Sequence, residues 1–175
     1  MLANLKLRLT DAETIKKVLL AAEASAHAEG ATEPGSEHMV MAALALQDDT
    51  ARRAFLRVGA TPGDFAPAVA RQYADALIRI GLGGGVNLLD CQATPARRPL
   101  TKIFKSKPSA QTLMRTMARA RPVQSSRPLM GADIVLAALS SDVGVVARAL
   151  AVMGIDPDKL ADACRLELAA CGGKR

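Results

Sequence analysis

Two stretches of the chain, Glu37 to Val69 and Ala132 to Cys164, align without a gap at a constant spacing of 95 residues. Gly59 and Pro62 of the first stretch have counterparts in Gly154 and Pro157 of the second. Most other pairs are either identical or exchange one apolar residue for another. An ungapped match of this length, with its turn residues in phase, predicts a duplicated structural unit.

Apolar residues near the start of the first unit recur with helical spacing. Ile15, Val18, Leu19, Ala22 and Ala26 follow the pattern of an amphipathic helix. No run of β-branched residues alternates with a period of two, so a sheet is not expected. We predict an all-α fold of about eight helices in two four-helix halves. Because each half alone would bury little surface, the halves should pack together around a pseudo-two-fold axis.

The whole chain, residues 1–175, is predicted to be a single domain. The first repeat covers residues 10–80 and the second covers 109–171. Between them, the basic stretch 81–108 contains several Gly and Pro residues, which indicates a linker. Within the second repeat, one helix is predicted over about 142–153.

Residues that favour helix ends predict where the first helices begin and stop. Thr10 or Asp11 is the expected N-cap of the first helix, and Gly30 is placed to end it. Ser36 is expected to cap the second helix with its hydroxyl group. Glu37 then falls in the first turn of that helix, where the helix dipole favours a negative charge.

The positive charge of the chain is concentrated in one segment. Between Cys91 and Ala132 there are nine basic residues and no acidic residue, whereas the rest of the chain has 14 basic and 17 acidic residues. Such a segment indicates either a solvated face or a site for an anionic partner. Nucleic acid is an alternative partner, although Phe104 is the only aromatic residue available there for base stacking. The candidate partner-binding residues are Arg97, Arg98, Lys102, Lys105 and Lys107.

Other sequence features argue against several classes of protein. The N-terminus lacks the apolar region of a signal peptide, and no window of about 18 apolar residues predicts a membrane span. Three cysteines without a CxxC pair fit a reducing, cytoplasmic location, and Cys164 lies in an apolar helical pattern expected to be core. There is no GxxxxGK[ST] phosphate loop. We expect no cofactor and no membrane association.

The adjacent residues Glu37 and His38 are the strongest candidates for chemistry, and several interpretations are open. A metal site would need further ligands at suitable spacing, and a general acid–base pair would need a nucleophile or substrate pocket. Neither is evident in the sequence. In the structural interpretation, His38 packs and forms hydrogen bonds at the helix start. Binding of a guanidinium group or a peptide by Glu37 is compatible with that role.

The duplicated pattern resembles the Clp N-terminal repeat domain. The resemblance covers about residues 9–170 and depends on "GSEHMVMAAL", which is similar to the family pattern G-T-E-H-L-L-L-A-L, and on the Gly and Pro that recur after it. It implies a freestanding domain without the ATPase modules. The expected function is non-enzymatic binding of peptides, degrons or adaptor proteins in a Clp unfoldase–protease system. The alternative is a nucleic-acid-associated regulator that uses the basic segment.

The resemblance also implies a ligand site. In some members of the family, acidic residues at the E-H positions of both repeats bind the guanidinium group of phosphorylated arginine. Glu37 matches this pattern, whereas Ala132 takes the equivalent position in the second repeat and Asp133 takes the His position. The expected partners are a Clp ATPase, an adaptor or an arginine-phosphorylated client, with Glu37, His38 and Asp133 as candidate contacts.

Overall fold

The computed structural model describes residues 2–79, 81, 105–121 and 127–172 of the chain. Within these ranges the chain forms eight α-helices and one short 3-10 helix, and no strand. The all-α prediction is confirmed. None of the described helices is both long enough and apolar enough to cross a membrane. The helices are α1 Leu2–Ala28, α2 Ser36–Leu44, α3 Thr50–Arg57, α4 Phe65–Arg79, α5 Pro108–Ala120, α6 Gly131–Leu139, α7 Val145–Val152 and α8 Pro157–Gly172.

The bounds of several helices recur at the spacing seen in the sequence. Helices α6 and α7 begin and end 95 residues after α2 and α3, respectively. Pro62 opens the 3-10 helix Pro62–Asp64 that leads into α4, and Pro157 opens α8 at the equivalent position. A proline is tolerated there because its missing N–H group would have no partner in a first helical turn.

Helices of the two halves contact one another across the middle of the fold. Helix α3 packs on α8 and α4 packs on α7, while α2 and α6 contact each other at the centre. On the outside, α1 covers α2 and α5 covers α6. The apolar core is therefore shared between the halves, and neither half has a core of its own.

The core contains the residues that the apolar spacing predicted. Val18, Ala22 and Ala26 of α1 are buried, and the rings of Phe55 and Phe65 meet edge to face with centroids 6.1 Å apart. Cys164 is also buried, as predicted. Burial raises the pKa of the Cys164 thiol to about 12, with a smaller contribution from nearby carboxylates. The thiol is therefore protonated at neutral pH, which is typical of a structural cysteine.

Polar bonds between the halves occur at equivalent positions. Arg53 of α3 donates a hydrogen bond to the buried Glu167 of α8 (Nε to Oε2, 2.6 Å). Arg148 of α7 donates one to Gln72 of α4 (Nε to Oε1, 2.7 Å). Arg148 lies 95 residues after Arg53, and Glu167 lies 95 residues after Gln72. Arg57 also bonds Glu167. Burial by itself would raise the pKa of Glu167. The hydrogen bonds from Arg53 and Arg57 outweigh burial, and this pKa lies below its ordinary value.

The N-terminus of α6 is held by residues of the first half. The Asp48 carboxylate accepts hydrogen bonds from the backbone N–H groups of both Thr50 (2.9 Å) and Gly131 (3.1 Å). The Thr50 hydroxyl accepts the N–H of Ala132 at 3.0 Å. One carboxylate thus serves the first turns of both α3 and α6, where the helix dipoles favour negative charge.

Three of the predicted helix starts are wrong. Helix α1 continues through Thr10 and Asp11 back to Leu2, because residues 2–9 are mostly strong helix formers. The N-cap of α2 is Gly35, and Ser36 makes no hydroxyl capping bond. Helix α7 begins at Val145 instead of residue 142, since Gly144 has a φ of 134°, which is not helical.

Replacing Gly131 by alanine tests the close approach of α6 to the first half. An added Cβ would lie 2.7 Å from the backbone oxygen of Ala43 and 3.1 Å from the Cβ of Ala51. We expect Gly131→Ala to lower the free energy of unfolding by about 1–3 kcal/mol, the usual cost of overpacking. Gly63→Ala is the control, because nothing lies within 4 Å of a Cβ there. Equal urea-unfolding midpoints for the two variants would contradict the predicted overlap.

The depressed pKa of Glu167 predicts a pH dependence of stability. The ionised carboxylate stabilises the fold at pH values above about 4.3, the pKa of an unfolded glutamate, and this stabilisation is lost as pH falls through the folded-state pKa. We expect Glu167→Gln to lower the free energy of unfolding by about 1–2 kcal/mol near neutral pH. The difference from the wild type should shrink as pH falls through the folded-state pKa of Glu167. Urea unfolding across this range measures it, and a constant difference would argue against the assignment.

Candidate functional site

Glu37 is a buried charged residue with little compensation. It lies in the first turn of α2, as predicted, and is only 1% exposed. One carboxylate oxygen, Oε1, is 3.4 Å from the Lys107 Nζ, and the other, Oε2, has no hydrogen-bond partner in the described part of the chain. Buried polar atoms without partners are rare in folded proteins because leaving them unpaired is costly. The unpartnered Oε2 therefore makes Glu37 the candidate for binding a ligand.

Gly35 makes room for the Glu37 carboxylate. A Cβ built on Gly35 would lie 2.4 Å from both carboxylate oxygens of Glu37. The Gly35 backbone is extended, with φ of −103° and ψ of −176°, so other residues could adopt this conformation. Glycine is needed here for the space that it leaves, and the carboxylate occupies that space.

His38 fixes the start of the helix. Its ring is 2% exposed, Nδ1 accepts the backbone N–H of Gly35 at 3.0 Å, and Nε2 is 3.1 Å from the Glu29 carboxylate. Because Nδ1 acts as an acceptor, the hydrogen-bond network assigns the proton to Nε2, which donates to Glu29. The 3.4 Å approach of Nδ1 to the Glu37 Oε1 is then a contact between two acceptors. His38 orients the site but does not neutralise Glu37.

Tyr73 of α4 lies beside Glu37 and is reachable from solvent. Its side chain is 41% exposed. The pKa of the Tyr73 phenol is raised, first by burial and second by the charge of the Glu37 carboxylate, with Arg148 acting in the opposite direction. Smaller contributions that raise this pKa come from Glu29 and from hydrogen bonding between the phenol and Glu37. The phenol remains neutral at physiological pH and can donate a hydrogen bond to an anionic or polar group at the edge of the site.

The predicted basic residues are only partly brought to this site. Lys107 approaches Glu37 and Lys105 is exposed, whereas Arg97, Arg98 and Lys102 lie outside the described residues. Farther along the same segment, Arg121 and Arg127 form ion pairs with Asp11 and Asp133. The basic segment is therefore not a uniformly solvated face, because some of its charges form ion pairs with carboxylates of the fold.

Asp133 has an environment unlike that of Glu37. It occupies the position equivalent to His38 and does the same structural task, accepting the backbone N–H of Met130 at 3.0 Å. Its two oxygens also accept hydrogen bonds from the Arg127 guanidinium, each at 2.7 Å, and Arg121 is 3.7 Å away. A contact from Asp133 to a ligand stays a prediction, but a ligand would have to displace Arg127 to make it.

The arrangement is suited to binding a cation. No three His, Cys, Asp or Glu side chains within the described ranges are grouped as metal ligands. A buried carboxylate with one free oxygen accepts hydrogen bonds from a cationic group strongly, since such bonds are about twice as strong as neutral ones. In comparisons with known proteins, no protein-family model matches the chain and no curated protein sequence matches it. The site is therefore interpreted from its own geometry.

Sequence reasoning found Glu37 and His38 but missed three neighbours. Gly35 is part of the sequence motif, but its steric role follows only from the direction that the Glu37 side chain takes in the fold. Tyr73, the single tyrosine of the chain, and Glu29, just after α1, carry no local signal that connects them to Glu37. Only the packing of α4 and of the α1–α2 connection against the start of α2 brings them there.

A double-mutant cycle between Gly35 and Glu37 tests whether the glycine serves the carboxylate. We expect Gly35→Ala to lower the free energy of unfolding by about 1–3 kcal/mol through overlap with the Glu37 side chain. In a Glu37→Ala background the overlap is absent, so the same substitution should cost less, with a coupling energy of about 0.5–3 kcal/mol. Chemical denaturation of the four proteins gives the coupling. Additive effects would show that Gly35 matters for the backbone conformation and not for the space around the Glu37 carboxylate.

Proposed function

We propose that this chain is a non-enzymatic binding module similar to the Clp N-terminal repeat domain, with Glu37 as the centre of its ligand site. The single observation that carries the proposal is the Glu37 carboxylate, 1% exposed and with Oε2 lacking a hydrogen-bond partner among the described residues. The recurrence of helix bounds at a spacing of 95 residues and the shared core support a duplicated fold with a pseudo-two-fold relation.

The ligand chemistry that fits Glu37 best is a guanidinium group. Its planar fork can donate to both oxygens of one carboxylate, which would satisfy Oε2 as well as Oε1. If the arginine carries a phosphoryl group, the exposed Lys105 would provide positive charge for it. The proposed ligand is therefore an arginine-containing peptide of a client or adaptor, of the phosphoarginine type.

The second half is proposed to lack an equivalent site. The position equivalent to Glu37 is the fully buried Ala132, and the neighbouring Asp133 is engaged by Arg127. We therefore propose one ligand per chain, bound by the first half. This differs from a symmetric pair of acidic sites and makes the stoichiometry of binding a direct test.

We propose that the natural partners belong to a Clp unfoldase–protease system: a Clp ATPase, an adaptor or a client. The nucleic-acid alternative has some support from Arg115 and Arg119, which are both exposed on α5. Arg121 and Arg127, by contrast, are engaged by carboxylates of the protein itself. Peptide binding at Glu37 is therefore the preferred proposal.

The proposed function predicts a loss of peptide binding in Glu37→Gln. The neutral amide removes a charged acceptor, which should weaken binding of an arginine-phosphorylated peptide by about 1.5–3 kcal/mol, or roughly 10- to 150-fold. Isothermal titration calorimetry gives both this affinity and the stoichiometry, expected to be one peptide per chain.

The matched control is Glu167→Gln, which replaces the other buried glutamate of the described residues. This variant should lose stability but bind the peptide as tightly as the wild type does. Absence of binding by the wild type, or equal affinity in Glu37→Gln, would refute the proposed function.

A further inference from the structure

Lys107 occupies the place where the cation of a ligand would sit. Its Nζ is 3.4 Å from the Glu37 Oε1 and its side chain is 41% exposed, while the Glu37 side chain is 1% exposed. Among the described residues, the only other basic side chain within ion-pairing distance of the Glu37 carboxylate is the His38 imidazole. Its facing nitrogen, Nδ1, accepts a hydrogen bond and carries no proton. The chain thus supplies its own counter-charge for the buried carboxylate.

The backbone of Lys107 is anchored, but its ammonium group is free to leave. The Lys107 N–H donates to the Pro34 oxygen at 2.9 Å, and the Lys107 oxygen accepts the N–H of Gln111 at 3.2 Å in the first turn of α5. The four methylenes between this fixed backbone and Nζ allow the ammonium to swing into solvent without moving either helix. Displacement of Lys107 is therefore a side-chain movement only.

The contact between Lys107 and Glu37 is also incomplete. At 3.4 Å it is longer than the about 2.7–2.9 Å of a good bond between an ammonium and a carboxylate, and it leaves Oε2 without a partner. A guanidinium that donates to both oxygens would satisfy the hydrogen-bonding capacity of the Glu37 carboxylate more fully than Lys107 does. An ammonium ligand, in contrast, would only replace one ammonium by another.

We propose that Lys107 is a built-in competitor at the Glu37 site, which any cationic ligand must displace before it binds. Because Lys107 is tethered, its effective concentration at Glu37 is on the order of millimolar or more. A free ammonium ligand must compete with it on equal chemical terms, whereas a guanidinium gains the second oxygen. This inference rests on the proposed binding of a cationic ligand by Glu37.

The test compares two small probes, Nα-acetyl-arginine N-methylamide and its lysine analogue, on the full chain by NMR titration. In Lys107→Met, the arginine probe should bind about three- to fivefold more tightly than in the wild type, because the fraction of open sites rises. The lysine probe should gain by the same factor, because both probes bind the open site. Lys159→Met, which removes an exposed lysine of α8, should leave both affinities unchanged.

A second variant, Lys107→Arg, gives an answer even if Lys107→Met does not fold. A tethered guanidinium can engage both Glu37 oxygens, so it should weaken binding of the arginine probe several-fold. Equal or weaker binding by Lys107→Met, or unchanged binding by Lys107→Arg, would overturn the competitor role.

The outcomes separate this inference from the proposed function. If Lys107→Met and the wild type bind alike but Glu37→Gln does not bind, the proposed function stands and the inference fails. If only Lys107→Met binds the probe, the competitor role holds and binding by the native chain is refuted. If neither protein binds either probe, the competitor role is refuted, and titration with the arginine-phosphorylated peptide decides the proposed function separately.

Discussion

The fold depends on the close approach of α6 to the first half, where Gly131 lies against the backbone of α2 and α3. An added Cβ would meet the Ala43 oxygen at 2.7 Å, so these elements are as close as their backbones permit. Asp48 and Thr50 accept the first N–H groups of α6 at the same place. Steric fit and hydrogen bonding thus fix one half on the other. The outer helices then cover a core that neither half could form alone.

The two halves keep equivalent positions for packing but not for charge. Arg53 with Glu167 and Arg148 with Gln72 are related by the same spacing of 95 residues, and both pairs join the halves. At the start of α2, by contrast, a neutral imidazole nitrogen of His38 accepts the backbone N–H of Gly35. At the start of α6, the charged carboxylate of Asp133 accepts the backbone N–H of Met130. The helix bounds therefore recur at a spacing of 95 residues, while the charged contacts at the two helix starts differ.

Burial of the Glu37 carboxylate carries a stability cost. A carboxylate buried with one free oxygen is destabilising unless a cation approaches it, because desolvation is only partly offset by the distant Lys107 ammonium. A bidentate guanidinium would pair the free oxygen and compensate the charge of the carboxylate. Glu29 and His38 hold the helix start rigid, and Gly35 leaves the space in which the carboxylate turns. The site is thus prepared by residues that do not touch the proposed ligand.

The sequence by itself determined the helical class, the buried face of α1 and the burial of Cys164. These features follow from apolar spacing and from Gly and Pro positions, which act through local geometry. It misplaced the start of α1, because Thr10 and Asp11 follow residues that form a helix themselves. Asp11 instead pairs with Arg121, 110 residues away. Only the tertiary structure decided which charges are buried and paired: Lys107 meets Glu37 across 70 residues of chain. Burial and pairing arise from contacts between distant segments, and no local pattern encodes them.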